Sequence, residues 1–320
     1  MDLDAEVDVD LSPYLIRYKS GRVRRLMGTS RVAAGADAAT GVTSKDVVTD
    51  AATGLAARLY VPSGVLGTPA RLPLLVYFHG GAFSVHSAFS GAHFRLLNAL
   101  VSAARAVAVS VDFRLAPEHP VPAAYDDRLG RAPLGRGELR GEEPWLAAHG
   151  DPARLFVAGD STGGNIAHNV ALRAGGSGAW IEGMVLLHPY FRGRELVPSE
   201  RAEPRSLERA ERWWAFVCAG RYGIDHPFVN PLAMPAAGWA WPYVEALRAS
   251  AWAGGEAALH EDRGERHVFF LRKSDGSDRA KEDMIAAVAS FIASWPSSSS
   301  AGAGSGPSAR PVGSSSDAKL

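Results

Sequence analysis

The chain has 320 residues, 47% of them hydrophobic, and its 34 Lys and Arg balance 34 Asp and Glu. That length carries one large core or two modest ones, and a zero net charge without a long basic run speaks against a nucleic-acid or anionic-membrane surface. The single cysteine, Cys218, excludes an internal disulfide and fits a reducing compartment. The opening MDLDAEVDVDLSPYL lacks the apolar run of a secretory leader, and no stretch approaches the roughly 18 apolar residues of a spanning helix. Together these features lead us to expect a soluble, cytoplasmic protein.

Residues 1–45 scatter apolar side chains (Leu11, Tyr14, Leu15, Ile16, Tyr18) among charges and read as an arm or a lid. Within it, Met27 to Ala39 is rich in Gly, Ala, Ser and Thr and reads as loop. Val47-Val48 and Ala57 to Val61 suggest a pair of edge strands closed by Pro62. Leu72 to Phe78, LPLLVYF, is continuously apolar, the pattern of a strand covered on both faces of a parallel sheet. A helix is expected over Ser90 to Ala104 and a buried strand over Ala106 to Val111.

Residues 128–140, RLGRAPLGRGELR, break the pattern: four arginines, three glycines and a proline show no period where a crossover helix belongs. Order returns with a strand over 154–159, a helix from Ile166 to Leu172, a strand over 183–187 and a helical patch from Ser206 to Cys218. A strand at Ala257 to His260 and a helix at Ala280 to Trp295 follow. The Ser, Gly, Ala and Pro of 296–320 cannot build a core, so a disordered tail is expected. The alternation predicts one α/β domain over 46–295 with a parallel-rich sheet and helices on both faces.

The chemistry concentrates at Leu155 to Ala167, LFVAGDSTGGNIA. Strand, Gly159-Asp160-Ser161-Thr162-Gly163 and helix together make a nucleophile-elbow context. The serine sits at a sharp backbone corner, so the residues two before and two after it must lack bulk. His79-Gly80-Gly81 follows directly on an apolar strand, the position of an oxyanion loop in lipases and esterases. Acyl transfer builds negative charge on a carbonyl oxygen, and fixed backbone N–H donors lower that barrier. We therefore expect the N–H groups of Gly80, Gly81 and Thr162 to converge there. The elbow order Ser, acid, His places the base after the last strand. Of the ten histidines, His267 in the loop before the final helix fits best. His260 reads as a strand residue, and His168 and His188 as packed histidines near the elbow. No His/Cys/Asp cluster has metal spacing, and no cofactor or metal is implied.

The stretches YKSGRVRRL, LVYFHGGAF, VDFRLAPEHPVPAAYDD, LFVAGDSTGGNIAHNVALRA, VNPLA and GERHVFFL, with TGVTSKDVV, cover most of residues 14–295. On these the sequence resembles the plant carboxylesterase branch of the hormone-sensitive-lipase group of α/β hydrolases. The resemblance implies an α/β-hydrolase fold with a mostly parallel sheet, and a small cap made by the arm and a segment at about 191–225. It implies hydrolysis of a small-molecule carboxylic ester, with Ser161 as nucleophile, His267 as base and His79, Gly80 and Gly81 as the oxyanion motif. Thr162 stands where the family usually has alanine, which its N–H role tolerates.

Two departures stand out. The first is 128–140, where the family carries an amphipathic helix. The second follows Asn230-Pro231-Leu232-Ala233, where a late strand and the loop bearing the catalytic Asp are expected to be missing, since no aspartate lies between Asp225 and Asp262. The catalytic acid is left unassigned, with Glu245, Glu261 and Asp262 as substitutes only if their loops reposition. Losing the acid of a serine triad costs roughly 10⁴ in turnover. Three readings compete: an esterase, a ligand-binding relative like the gibberellin receptors, and a degraded relative without turnover. The receptors replace the base histidine, and His267 counts against that reading. The isoflavanone dehydratases share the scaffold, making lyase chemistry conceivable. The final Ala318-Lys319-Leu320 approaches a peroxisomal address, a weak alternative to cytoplasm. Nothing indicates an oligomeric state.

Overall fold

The computed structural model describes residues 2–127, 143–176, 181–231, 244, 248, 257–272 and 278–295. The irregular 128–140, most of the segment after Pro231, Glu245 and the tail from 296 lie outside the described residues.

The amino-terminal arm opens with three short strands. β1 (Val7–Leu11), β2 (Leu15–Tyr18) and β3 (Val23–Arg25) form an antiparallel sheet of their own. Opposite charges face each other across the first hairpin, Arg17 with Asp8 at 2.8 Å and Lys19 with Glu6 at 2.6 Å. Exposed pairs contribute only about 0–1 kcal/mol each, so the arm depends on what it lies against. It rests the Tyr14 ring on Trp213 at 4.9 Å and the Arg17 guanidinium over Phe216 at 5.2 Å.

The main sheet has seven strands. β4 (Ala36–Asp37), β5 (Val42–Asp50) and β6 (Leu55–Pro62) run antiparallel, and β6 pairs antiparallel with β8 (Val107–Asp112). β8 pairs parallel with β7 (Leu72–Phe78), β7 with β9 (Gly150–Asp160), and β9 with β10 (Gly183–Leu187). The order β10-β9-β7-β8-β6-β5-β4 makes a mixed sheet whose parallel half carries the motifs. The two strands expected as edges, at 47–48 and 57–61, are longer, and β6 lies inside the sheet between β5 and β8. Ala257 to His260, expected as a strand, is irregular.

Parallel strands need crossovers. α1 (Gly91–Ala104) links β7 to β8, and the short α2 (Ala123–Asp126) and α3 (Pro144–His149) lie between β8 and β9. Pro144 suits the first turn of α3, where the Glu143 carboxylate accepts the N–H of Trp145 and Leu146 at 3.0 Å each. α4 (Thr162–Gly176) links β9 to β10. The short α5 (Pro198–Arg201), then α6 (Ser206–Val217) and α7 (Arg279–Ala293), follow β10 among the described residues.

β7 is buried along its whole length, which explains its unbroken apolarity. Alternate residues serve opposite faces. Leu74, Val76 and Phe78 pack with Ile166 of α4 and Trp214 of α6, whereas Leu75 and Tyr77 pack with Leu97 of α1 and Val288 of α7. Each fully buried aliphatic side chain contributes about 1.5–3 kcal/mol. Register then sets the site: Phe78 stands beside Gly159, and Leu187 beside Asp160. The segments leaving β7, β9 and β10 therefore emerge together at the carboxyl edge of the sheet, where open α/β sheets hold their ligands.

Candidate active site

Ser161 follows β9 directly and has φ +53°, a left-handed backbone that L-residues avoid. Its surroundings enforce the strain. The Ser161 N–H donates to the Leu187 carbonyl at 2.9 Å, and its own carbonyl accepts the N–H of Tyr190 at 2.8 Å and of Asn165 at 3.2 Å. The flanking glycines are a steric need: a Cβ on Gly163 would lie 1.9 Å from the Phe78 carbonyl oxygen, and one on Gly159 2.3 Å from the Gly163 backbone. β7, β9 and α4 meet here too closely for any side chain. Thr162 opens α4, so its N–H has no acceptor within the helix.

His267 Nε2 lies 2.9 Å from Ser161 Oγ. With the hydroxyl donating, Nε2 carries the lone pair and Nδ1 the proton. The residue keeps an exposed edge, but desolvation of its ring first, and the neighbouring His188 second, lower its pKa below the ordinary histidine value. Its ring stands 5.8 Å from that of His188, inclined by 28°. Ser161 is the ring's hydrogen-bond partner among the described residues. Of the acid substitutes, Glu261 faces Arg263 at 3.8 Å and Asp262 accepts from His260 Nε2 at 3.1 Å, while Glu245 lies outside the described residues. His260, expected in a strand, is thus an exposed partner of Asp262.

The loop after β7 departs from expectation at one donor. The Gly80 N–H does not face the serine; it donates to Asp160 Oδ1 at 2.9 Å. A Cβ on Gly80 would stand 2.3 Å from Asp160 Oδ2, so close approach to that carboxylate accounts for the glycine. The N–H groups of Gly81 and Ala82 have no acceptor among the described residues. His79 lies beneath the loop rather than in it: its ring is buried against Phe113 at 4.3 Å, and its Nδ1–H donates to the Gly80 carbonyl at 2.7 Å. That carbonyl belongs to the same peptide as the Gly81 N–H, so the bond fixes the peptide plane and polarises the donor. Burial pushes the His79 pKa down to about 3, so the ring is neutral.

Asp160 is the residue that sequence reasoning missed. Its Oδ1 accepts from Tyr77 Oη at 2.7 Å, from the Gly80 N–H and from His93 Nε2 at 3.1 Å; His93 Nδ1 in turn lies 2.8 Å from Ser90 Oγ. Burial opposes ionisation of this carboxyl, yet His93, then Tyr77 and Gly80, hold its pKa down to about 2. The available signal was an ionisable residue ending an otherwise apolar strand. Asn165 was missed as well: it accepts from Tyr125 Oη at 2.8 Å and donates to the Phe228 carbonyl at 2.7 Å, tying α4 to the segment after α6.

The arm reaches this loop. Arg25 Nε donates to the Ser84 carbonyl at 2.7 Å while its fork grips Glu118 at 2.8 and 2.7 Å. A 660 Å³ cavity lies along β10 and α7, lined by Leu187, His188, Phe270, Met284 and Phe291 among others, behind His188 rather than over Ser161. No cluster of metal-ligating side chains occurs among the described residues, and none of their helices is long and apolar enough to cross a membrane.

A doubly covered sheet with a serine elbow, a histidine on its hydroxyl and a glycine loop beside it defines an α/β hydrolase. Comparison with known proteins agrees: a profile described as alpha/beta hydrolase fold matches residues 75–271, and the chain belongs to that family. It is 39% identical to tuliposide A-converting enzyme 2, chloroplastic, of Tulipa gesneriana, over 91% of this chain and 80% of the relative. It is 37% identical to 2-hydroxyisoflavanone dehydratase of Glycyrrhiza echinata, over 90% and 96%. The crystal structure of esterase LipW from Mycobacterium marinum superposes with a TM-score of 0.62 at 25% identity, covering 80% of this chain and 83% of that one. The chain is a carboxylesterase-like enzyme of the serine hydrolase type. The cytoplasmic placement expected above is corrected: the tulip relative is a chloroplastic protein.

Proposed function

We propose that the chain hydrolyses small to medium carboxylic esters through an acyl-enzyme formed on Ser161. The observation that carries this reading is the 2.9 Å contact between His267 Nε2 and Ser161 Oγ. Ser161 Oγ attacks the ester carbonyl carbon as His267 takes its proton. The carbonyl oxygen becomes an oxyanion facing the N–H groups of Gly81, Ala82 and Thr162. Collapse expels the alcohol, which receives the proton from His267. Water then attacks the acyl carbon with His267 again as base, and the carboxylic acid leaves. Turnover below that of a complete triad, by up to about 10⁴, belongs to this reading, because no aspartate lies between Asp225 and Asp262 to serve as the acid.

The likeness to 2-hydroxyisoflavanone dehydratase, spanning nearly that protein's whole length, favours one second reading: the site at Ser161 eliminates water from a hydroxylated substrate. The chloroplastic relative supports a plastid location, which a fluorescent fusion of the chain tests directly. For the hydrolase, the experiment is fluorophosphonate labelling beside p-nitrophenyl acetate turnover in wild type, Ser161→Ala and His267→Ala. Labelling and turnover present in wild type and lost in both variants is the expected result. A folded wild-type chain that neither labels nor turns over ester would sink the hydrolase reading.

A further inference from the structure

His188 takes no part in the proton transfers above, yet it contacts the segment that carries the base. It follows β10, and its Nδ1 accepts the Val268 N–H at 3.0 Å. We propose that His188 is the positioning residue for His267, its Nδ1 holding the peptide that sets the base over Ser161. This rests on the serine-hydrolase reading of the site.

Three observations converge on it. The Val268 N–H belongs to the planar peptide that leaves His267, so anchoring it fixes the direction in which the His267 side chain departs. Val268 has φ +51°, a conformation in which a β-branched residue is a true outlier. Such strain persists only where the surroundings impose it, and without the bond to His188 the backbone is free to relax and carry His267 away. Finally, Leu187 and His188 are neighbours in one turn: the Leu187 carbonyl holds the Ser161 N–H while His188 holds the Val268 N–H. A single turn thereby sets nucleophile and base relative to each other. The His188 ring also packs on Phe269 at 5.7 Å and Phe270 at 5.4 Å, so it cannot swing from its post without opening that cluster. Burial lowers its pKa, which keeps Nδ1 an acceptor near neutral pH.

An ordinary packing role requires only a ring; the proposal requires an acceptor at the Nδ1 position. His188→Phe keeps the ring and removes the acceptor. His188→Asn places an amide oxygen close to the same point, and Asn tolerates the φ of +46° that His188 adopts. The test measures kcat and KM on p-nitrophenyl acetate, together with amide-proton exchange at Val268 by NMR, in the full chain. H188F is expected to lose about 10–100-fold in kcat with KM within about threefold, because a misplacement near 1 Å costs on that order. Val268 protection should fall with it. H188N is expected to stay within about threefold of wild type and to keep the protection. Wild-type kcat in H188F, or H188N as impaired as H188F, would overturn the proposal. Should H188F not fold, H188N against H188A decides the same question. If wild type itself shows no turnover, the hydrolase reading fails, and Val268 exchange alone still decides whether His188 anchors the base segment.

Discussion

The nucleophile and the base of this site are held in opposite ways. Ser161 stands at the junction of β7, β9 and α4, with its backbone N–H and carbonyl both bonded and both flanking glycines pressed against backbone. The loop beside it is braced by the buried Asp160 carboxylate, which collects Tyr77, Gly80 and His93. His267 instead sits on an exposed loop, held by the Val268 N–H on His188 Nδ1, by the turn from the Phe269 N–H to the Arg266 carbonyl and by the packing of Phe269 and Phe270. Both halves carry backbone strain, at Ser161 and at Val268, but the nucleophile's half is over-determined and the base's is more lightly tethered. Such a site loses alignment of the base long before it loses the elbow.

The comparison can be broken first at the chemistry. Ser161→Ala and His267→Ala should each lower the turnover that a triad without its acid retains by about 10²-fold, measured on p-nitrophenyl acetate, while both variants unfold at wild-type denaturant midpoints. Next come two glycines, one in each half. Gly163→Ala forces a Cβ to 1.9 Å from the Phe78 carbonyl and should cost more than about 4 kcal/mol or prevent folding, by urea denaturation. Gly264→Ala, at φ +83° with open space around it, should cost only about 1 kcal/mol.

Acid should unfold the over-determined half. Burial lowers His79 to about 3 and His168 to about 4, so below about 6.5 the unfolded chain binds protons that the folded chain refuses. Stability should therefore fall as pH drops, by about 4 kcal/mol between pH 7.5 and 5 for the two residues together. Equal urea midpoints at those two pH values would contradict this. The smallest effect concerns the base: since His267 must be neutral and its pKa is lowered, the acid limb of kcat/KM should lie below the ordinary histidine value of about 6.5.

How much of this was legible follows from what each segment buries. LPLLVYF coincides with β7 because a strand deep in a parallel sheet carries its signal as unbroken apolarity, and GMVLL coincides with β10, the outermost described strand, which is half-buried. The elbow was legible because its glycines answer a steric demand visible in the spacing alone. The arm was not read as strands although Val7-Asp8-Val9-Asp10-Leu11 alternates apolar and polar residues; its strands are held by cross-strand charges and by Tyr14 on Trp213, and the apolar members of β1 stay exposed or half-buried. Ala257 to His260 stands where a last strand is expected, but Ala-Ala-Leu-His carries no β-branched or aromatic residue to favour one. Gly80 could not be told from Gly81 by sequence: both are glycines in one motif, and only the reach of Asp160, far along the chain, separates a donor turned inward from one left free.

The grip of Arg25 on Ser84 and Glu118 has a practical meaning for anyone handling the protein. The first strands are stitched to the loop that faces the serine. Trimming that removes β3 together with this arginine is therefore an alteration at the catalytic loop, and a shortened chain of that kind should be compared with the full one as a different enzyme.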